Sequence, residues 1–432
     1  MKIIIVGAGI AGLAAGISVR RKGHDVQIFE RSSLLREVGA AIHVSPNASR
    51  VLINWGFDIK RARAVTNRRY MMASGITLEI SAAKTHPDYS TIYNGPWLMA
   101  HRVDLHNELR RLATDPAGLG KPVDIILRAE VLDYSPENGT VMLADGSTER
   151  ADLVIAADGV HTTALNHVIG RPNPAFSTGW AVFRFLLTTE ELENDPDTAP
   201  LLKDGPTEVD DGLTRHIITD GSMRRLVWYP CANNTMQNFV LIYEDKHTDD
   251  HEREDWDQSA DIKDVMTHFQ DFHPNFLKII KKATNIKRWP LLYRDPLSHF
   301  SKGRLVLIGD AAHPMLPHQG QAGAQAIEDA AALGELFTNI EKSPSPEEIR
   351  NRLELFDKFR VRRVGAMQIL SNVGQDRVHE VRELAKNYMP EGVNVPSTQQ
   401  DFFEHHFRYD ILSDSQSHLE SYLKGINTDI PN

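Results

Sequence analysis

The first twelve residues constrain this chain more than any other stretch. Met1-Lys-Ile-Ile-Ile-Val-Gly7-Ala-Gly9-Ile-Ala-Gly12 sets a short β-branched run, Ile3 to Val6, directly before three glycines spaced G-x-G-x-x-G. Such a run reads as a buried parallel strand. Gly7 permits a tight turn, Gly9 lets the backbone approach a pyrophosphate, and Gly12 lets helix and strand pack closely. A helix is expected from about Ala11 to Arg21, with Gly23 as its C-terminal cap, followed by a strand from Asp25 to Phe29 that ends at Glu30. The acid then stands about 20 residues past the glycines, where it accepts hydrogen bonds from a ribose, and phosphates lie at the positive helix N-terminus. An acid there opposes a 2′-phosphate, so the pocket suits FAD or NAD better than NADP.

Two plainer readings compete. A secretory leader carries its basic residues ahead of the apolar stretch, whereas Arg20-Arg21-Lys22 follows it and glycines interrupt it. A glycine turn in an unrelated α/β protein would not need strand, helix, second strand and acid all in register.

At 432 residues the chain exceeds one ordinary core, and two domains are expected. Hydrophobic content of 41% with 25% charged residues is that of a globular protein, and no apolar run is long enough to span a bilayer. Forty-eight basic against 58 acidic residues give a net charge of −10, which opposes a nucleic-acid or anionic-membrane surface. Cys231 is the only cysteine, so no intramolecular disulfide or cysteine-based metal site forms, and a reducing, cytoplasmic setting is the simple inference. No HExxH-like spacing occurs, no metal is expected, and His405-His406 reads as a surface feature.

Further along, Gly75 to Ile92 looks strand-like, with Gly95-Pro96 as a break, and His101 to Ala113 has a helical pattern. Ala151 to Ala157 reads as a buried strand ending in Asp158-Gly159. Between about 175 and 295, β-rich segments alternate with acidic and Pro/Gly-rich loops, suggesting an antiparallel sheet inserted into the first domain. Asp249 to Asp264 is a dense charge run, read as a solvated face or loop. Gly303-Arg-Leu-Val-Leu-Ile-Gly309-Asp310-Ala-Ala-His313-Pro314 is then a strand ending in a Gly-Asp turn. Ala322 to Phe337 reads as a helix, and Pro346 to about Lys386 as a longer amphipathic one. From Met389 on the chain is polar and Pro-punctuated, with aromatics near Phe402 to Tyr409 to which no role is assigned.

Three motifs taken together, Gly7–Gly12, Asp158-Gly159 after an apolar strand, and Gly309-Asp310-Ala-Ala-His-Pro314, make the chain resemble the single-component FAD-dependent aromatic hydroxylases. Gly320-Gln-Ala-Gly323-Ala324-Gln-Ala-Ile-Glu328-Asp329-Ala330 extends the likeness, which covers residue 1 to about 380. The segment from Gly39 to Arg50 is most similar to the salicylate-hydroxylase-like and 6-hydroxynicotinate-hydroxylase-like members. The resemblance implies an α/β fold with an α+β insert. A Rossmann-like FAD-binding domain is expected from 1–74, 101–174 and 296–345, and an antiparallel substrate domain from 75–100 and 175–295. A C-terminal helical region and tail would then cover 346–432.

The resemblance also implies roles. Gly7, Gly9 and Gly12 receive the dinucleotide, and Glu30 holds the adenosine ribose, with Arg31 nearby. Ala41 and Ile42 offer backbone contacts near the flavin, Arg102 reaches the pyrophosphate, and Val131 lies near the adenine. Asp158 belongs to the second motif, and Asp310 accepts from the ribityl hydroxyls. Pro317, Gly320, Gly323 and Ala324 form the turn whose helix N–H groups stabilise negative charge on the reduced flavin. Taken singly these residues have ordinary readings: a turn for Asp158-Gly159, a surface cation for Arg102, an N-cap for Asp310.

No second glycine fingerprint follows a later strand, an absence the family shares, so NADH or NADPH would visit transiently. The implied reaction is reduction of FAD, addition of O₂ to give a flavin C4a-hydroperoxide, and oxygen transfer to an activated ring of a small aromatic substrate. Ionising a phenol makes it a better nucleophile, and His43 is the leading candidate for the base, against a histidine satisfied by backbone. Arg184, His216 and Tyr229 lie on strand patterns that could face the ring or a carboxylate, each with a structural alternative. Cys231 could line the same pocket or pack in the core.

Ala322 stands where many relatives place glycine, which bears on the geometry of the flavin contact. His318 is either a substrate or proton-path residue or a solvated loop position. Three alternatives stay open beside a phenolic or heteroaromatic acid substrate. They are the same chemistry on a larger secondary metabolite, a non-redox binding protein on this fold, and an oxidase without oxygen insertion. A monomer or homodimer is expected.

Overall fold

The computed structural model describes residues 1–33, 40–202, 211–219, 221–245 and 258–425. The β-branched run forms the strand Lys2–Val6, inside a six-stranded sheet. Its order is Ser301–Lys302, Leu305–Leu307, Leu153–Ala156, Lys2–Val6, Asp25–Glu30, Asp124–Leu127. All neighbours are parallel except the hairpin at the Ser301 edge. Ile3, Ile4 and Ile5 are wholly buried, as a parallel sheet covered on both faces requires. The helices Ile10–Arg21 and Ala322–Leu336 pack so closely that a Cβ on Gly334 would lie 2.1 Å from Ser18 Oγ. Arg20, near the end of the first helix, is buried and donates to the carbonyls of Leu112, Ala113, Asp115 and Gly120. It is an internal staple between helix and loop.

A second, ten-stranded sheet is antiparallel apart from one contact, Asp211–Ile218 alongside Val65–Ser74, which is parallel. It departs from the expected boundaries. Ala41–Val44 and Val65–Ser74 belong to it, so the 1–74 part assigned to the first domain runs through the second sheet, while Leu98–His101 lies there as its 75–100 assignment expects but for His101. The polar Asn67, Arg68 and Arg69 break the alternation of Val65–Ser74, because this strand is only half-buried on either side. Within Gly75–Ile92 only Ile80–Thr85 is a strand, and Asp88 then caps a short helix, Tyr89–Tyr93. One face of the large sheet packs Phe183, Phe185, Trp228 and Phe239 against the helices Ile262–Phe269 and Pro274–Lys282. The other face is left for the site.

The helix starting at Pro346 ends at Leu370, well short of Lys386; a 3₁₀ turn, Gln375–Glu380, and a short helix, Arg382–Lys386, follow Gly374. Two more helices, Gln399–Phe407 and Ile411–Leu423, follow among the described residues, and Ile411 and Leu419 join the core of the first sheet. His406 is buried, with its Nδ1 3.0 Å from that of His405, which corrects the surface reading of this pair. In the charge run from Asp249 to Asp264, residues 249–257 lie outside the described residues; Asp261 caps the helix that follows. Among the described residues no helix is long and apolar enough to cross a membrane, and no group of His, Cys, Asp and Glu could hold a metal ion.

Candidate active site

At the first turn, Gly7 adopts φ +97°, and a Cβ there would lie 2.5 Å from Ala157 O. A Cβ on Gly12 would lie 1.9 Å from Gly7 O, whereas one on Gly9 would meet no heavy atom within 4 Å. Gly9 therefore opens onto free space, at a helix start with no side-chain cap on its first amides. Glu30 is fixed at the end of its strand by the amides of Ala8 (2.8 Å) and Ser32 (2.7 Å). Arg31 beside it is exposed. The amide of Ala129 reaches Glu30 O at 2.9 Å, which brings the half-buried Val131 to the same edge. Asp158 accepts from the Tyr134 hydroxyl at 2.8 Å, and burial pushes its carboxyl above the usual range.

The two ends of the chain meet here. Gly309, at φ +57°, packs on the first helix so tightly that a Cβ would lie 2.9 Å from Ala11 Cβ. Asp310 follows in the half-buried turn Gly309–Ala311. The amide of Gly309 donates to Asp329 at 3.0 Å, and Asp329 also pairs with His313 (2.6 Å) and Arg360. Glu328 pairs with Arg360 (2.6 Å) and Arg363 (2.7 Å) and accepts from Asn47 (2.6 Å). Burial alone would raise both carboxyls, but the cations outweigh it and hold them below their ordinary values.

A cavity of about 660 Å³ lies between the strand Ala41–Val44, the turn Pro317–Gly323 and the free face of the large sheet. Gly320 packs on His43, and a Cβ on Gly323 would touch Ile42 Cδ1 at 2.9 Å, so the turn packs directly on the strand and the two form one continuous wall. Arg102, Ala41, Ile42, Pro317, Gly320 and Gly323 all line the cavity. Ala324 does not; its side chain is buried inside the helix. Ala322 occupies the first helical position on the cavity wall, where its methyl is accommodated.

Strand register builds the opposite wall. Arg184, Val240, Val227, His216 and Met72 are direct cross-strand neighbours on five adjacent strands, and all five line the cavity. Side-chain alternation puts Phe183, Phe185 and Phe239 on the other face. Tyr229 and Asn238 form the next row. The Tyr229 hydroxyl donates to Ala41 O (3.0 Å) and the Ala41 amide donates to Asn238 (3.2 Å), which locks the Ala41 strand to the sheet. Thus His43, His216 and Tyr229 come together, with the His43 and Tyr229 rings 4.3 Å apart. Cys231 is buried away from the cavity.

Three arginines, Arg102, Arg184 and Arg225, and one carboxylate, Asp376, line the cavity. Arg225 makes a two-pronged pair with Asp376, both contacts 3.1 Å, and Arg184 lies 4.8 Å over the Trp289 ring. Burial pushes His43 down to about 3, with His216 and His86 adding to it. Burial, reinforced by Arg225, pushes His216 and His318 down to about 4. All three are therefore neutral at neutral pH. His43 Nδ1 and His318 Nε2 are buried and meet no hydrogen-bond partner among the described residues. His24, His86 and His405 are likewise pushed down to about 4, chiefly by burial. Folded values below 6.5 mean that stability is full above the unfolded value and is lost as pH falls from 6.5 toward 4. Melting scans across that window should show a steep decline; a level melting temperature would remove these histidines as its cause.

The family described as FAD binding domain matches residues 1–351. An FAD-dependent monooxygenase of Aspergillus candidus is 38% identical over 98% of this chain and 96% of the relative. The chain belongs to the FAD-dependent monooxygenases. Hispidin-3-hydroxylase of Neonothopanus nambi is 31% identical to this monooxygenase over 99% of the chain and 98% of the relative. A salicylate hydroxylase substrate complex shares its fold, with a TM-score of 0.72 and 23% identity over 97% of this chain and 98% of that one. FAD is the cofactor, and the residues present fit it. Open space at Gly9, an uncapped helix start and the anchored Glu30 suit the dinucleotide half, and the backbone of the Gly320–Gly323 turn and of Ala41–Ile42 at the cavity wall suits a ring lying against them.

Several cavity residues of the monooxygenase escaped the sequence reading. Trp97, Trp289, Tyr70, the Arg225–Asp376 pair and Phe403 and Phe407 carry no local motif. Only the last two left a visible trace, aromatic residues four apart in a tail with no assigned role.

Proposed function

We propose that this monooxygenase hydroxylates a phenolic ring of a flat aromatic molecule larger than a single-ring acid, using NADH or NADPH and O₂. The observation that carries the reading is the cavity wall beyond the Ala41–Ile42 strand and the Gly320–Gly323 turn: Trp97, Tyr229, Trp289, Phe403 and neutral histidines offer several flat ring faces, more than a single-ring acid would cover. A single-ring acid, the other reading of the same motifs, needs a cation for its carboxylate. Of the three arginines that line the cavity, Arg225 is paired with Asp376, Arg184 lies over the Trp289 ring, and Arg102 is given to the pyrophosphate. The name of the hispidin hydroxylase relative supports ring hydroxylation over plain oxidation.

When bound, FAD supplies electron transfer and the activation of O₂. The chain supplies placement and proton handling. Backbone around Ala41 and Ile42, held by Tyr229 and Asn238, and the Gly320–Gly323 turn fix the reacting plane. His43 accepts the hydrogen bond of the substrate hydroxyl through Nε2, the ring nitrogen that is not buried. As the ring gives up electron density that O–H becomes far more acidic than a free phenol, so a neutral imidazole suffices as acceptor. His216 borders the opposite side of the ring, and the Tyr229 hydroxyl, donated to Ala41 O, orients the strand.

His43→Ala should therefore lower kcat by about 10²-fold. Because His43 titrates near 3, the loss should be even from mildly acidic to alkaline pH. A deficit confined to low pH would return His43 to the role of a titrating base. The reading as a whole is tested with one-ring and two-ring phenols, scored by substrate-stimulated NADH and NADPH oxidation and by ¹⁸O from ¹⁸O₂ in the product. Turnover of salicylate alone would restore the single-ring acid, and product without ¹⁸O would mark an oxidase. A cytoplasmic enzyme completes the proposal, in keeping with a single, buried cysteine.

A further inference from the structure

The helix Gln399–Phe407 lies beyond the residues that the family matches, yet it walls the cavity. Gln399, Phe403 and Phe407 recur at every fourth position and so share one stripe of the helix, and all three line the cavity. Phe403 and Phe407 stack with ring centroids 5.0 Å apart and planes 13° apart. Trp97 meets both edge-on, at 5.8 and 5.3 Å, and its other side lies 5.5 Å from His43. A row of rings thus leads from the strand beside the flavin seat outward to the phenylalanine pair.

This wall is fastened to that seat. The last carbonyls of a helix have no partner within it and carry negative partial charge. Here two arginines answer them. Arg363 donates to His405 O (3.3 Å) and His406 O (3.2 Å), and Arg50 donates to Phe407 O and to Arg408 O (3.3 Å). Arg363 also forks onto Glu328, both contacts 2.7 Å, on the helix that opens with the Gly320–Gly323 turn. Arg50 lies on the helix Pro46–Asn54, whose Asn47 donates to the same Glu328. At its other end Lys84 donates to Gln399 at 2.5 Å.

We infer that Gln399–Phe407 is the specificity wall of this monooxygenase. Phe403 and Phe407, with Trp97, take the ring of the substrate remote from the one hydroxylated, and Arg363 is the positioning residue that sets their distance from the flavin turn. The inference rests on the extended-aromatic reading above and names the residues that select for it.

The test uses full-length, FAD-loaded protein with two probes, 4-phenylphenol and phenol. Phe403→Leu and Phe407→Leu keep a buried apolar side chain and lose the planar face. By calorimetry, the Kd of 4-phenylphenol relative to that of phenol should rise about threefold to tenfold, the worth of one aromatic pair. The ratio of kcat/KM for the two should fall by a similar factor, through KM. Arg363→Gln should move both ratios the same way, and Arg363→Lys should recover part of the loss. Parallel changes on both probes would mean that the helix is merely structural and would overturn the wall. If neither probe is turned over by the native enzyme but the Kd ratio shifts as stated, the reaction reading falls and the wall stands. If neither probe binds, both fall.

Discussion

Gly12→Ala should give a protein that no longer retains FAD. The new Cβ would lie 1.9 Å from Gly7 O, less than any relaxed contact allows, and the obstacle is backbone held between two buried strands. Either the helix Ile10–Arg21 moves outward or the Gly7 turn opens, and both displace the free amides at the helix start, which on the proposed reading would face the pyrophosphate. An overpacked core of this kind costs about 3 kcal/mol, so the melting temperature should also fall. Gly9→Ala is the informative companion, because its Cβ meets no protein atom. It should leave the apoprotein's melting temperature near native while weakening FAD retention, since the added methyl occupies space reserved for phosphate. Flavin absorbance relative to protein absorbance after purification, with melting scans of the apoproteins, separates the two. A fully yellow Gly12→Ala protein with native stability would refute the argument.

Arg360→Ala should be the more damaging change to the fold. Arg360 is wholly buried and bonds Glu328, Asp329 and Gln325, with Glu328 and Asp329 themselves buried. Removing one partner of a buried ion pair costs about 3–5 kcal/mol, and here it leaves Glu328 with Arg363 alone and Asp329 with His313 alone among the buried cationic partners. The sign of the pH dependence follows. In the native protein both carboxyls sit below their ordinary range, so their contribution is present above the unfolded value and lost as pH falls through the folded one. Without Arg360 both rise, held down only by Arg363 at Glu328 and His313 at Asp329, and the variant regains part of its deficit on acidification as the acids become neutral. Melting scans of both proteins from alkaline to mildly acidic pH should converge toward the acid end. Curves that run parallel would show that Glu328 and Asp329 do not depend on this arginine.

The glycine-marked turns were legible because their causes are local. Gly7, Gly12 and Gly309 each answer a steric demand that a few neighbouring residues create. The large sheet was only partly legible. Val65–Ser74 carries two arginines and an asparagine, and its partner strand begins at Asp211, so nothing near it in the chain announces the pairing. The cavity wall was hidden for a related reason. Arg184, Val240, Val227, His216 and Met72 become one row only after the strand registers are set. His43 stood out through its segment, but its neutrality follows from the burial that Trp97, Tyr229 and Gly320 impose. For Phe403 and Phe407 the four-residue spacing was visible, and their partner Trp97 was not.

Ile411 and Leu419 share one core with the opening strand Lys2–Val6. The helix that carries them packs on Ala322–Leu336, which in turn packs on Ile10–Arg21, so elements far apart in sequence close one core around the glycine turn. Contacts of such sequence separation slow folding. A chain cut short of Ile411–Leu423 should therefore leave apolar surface of the Ala322–Leu336 helix open and aggregate more readily.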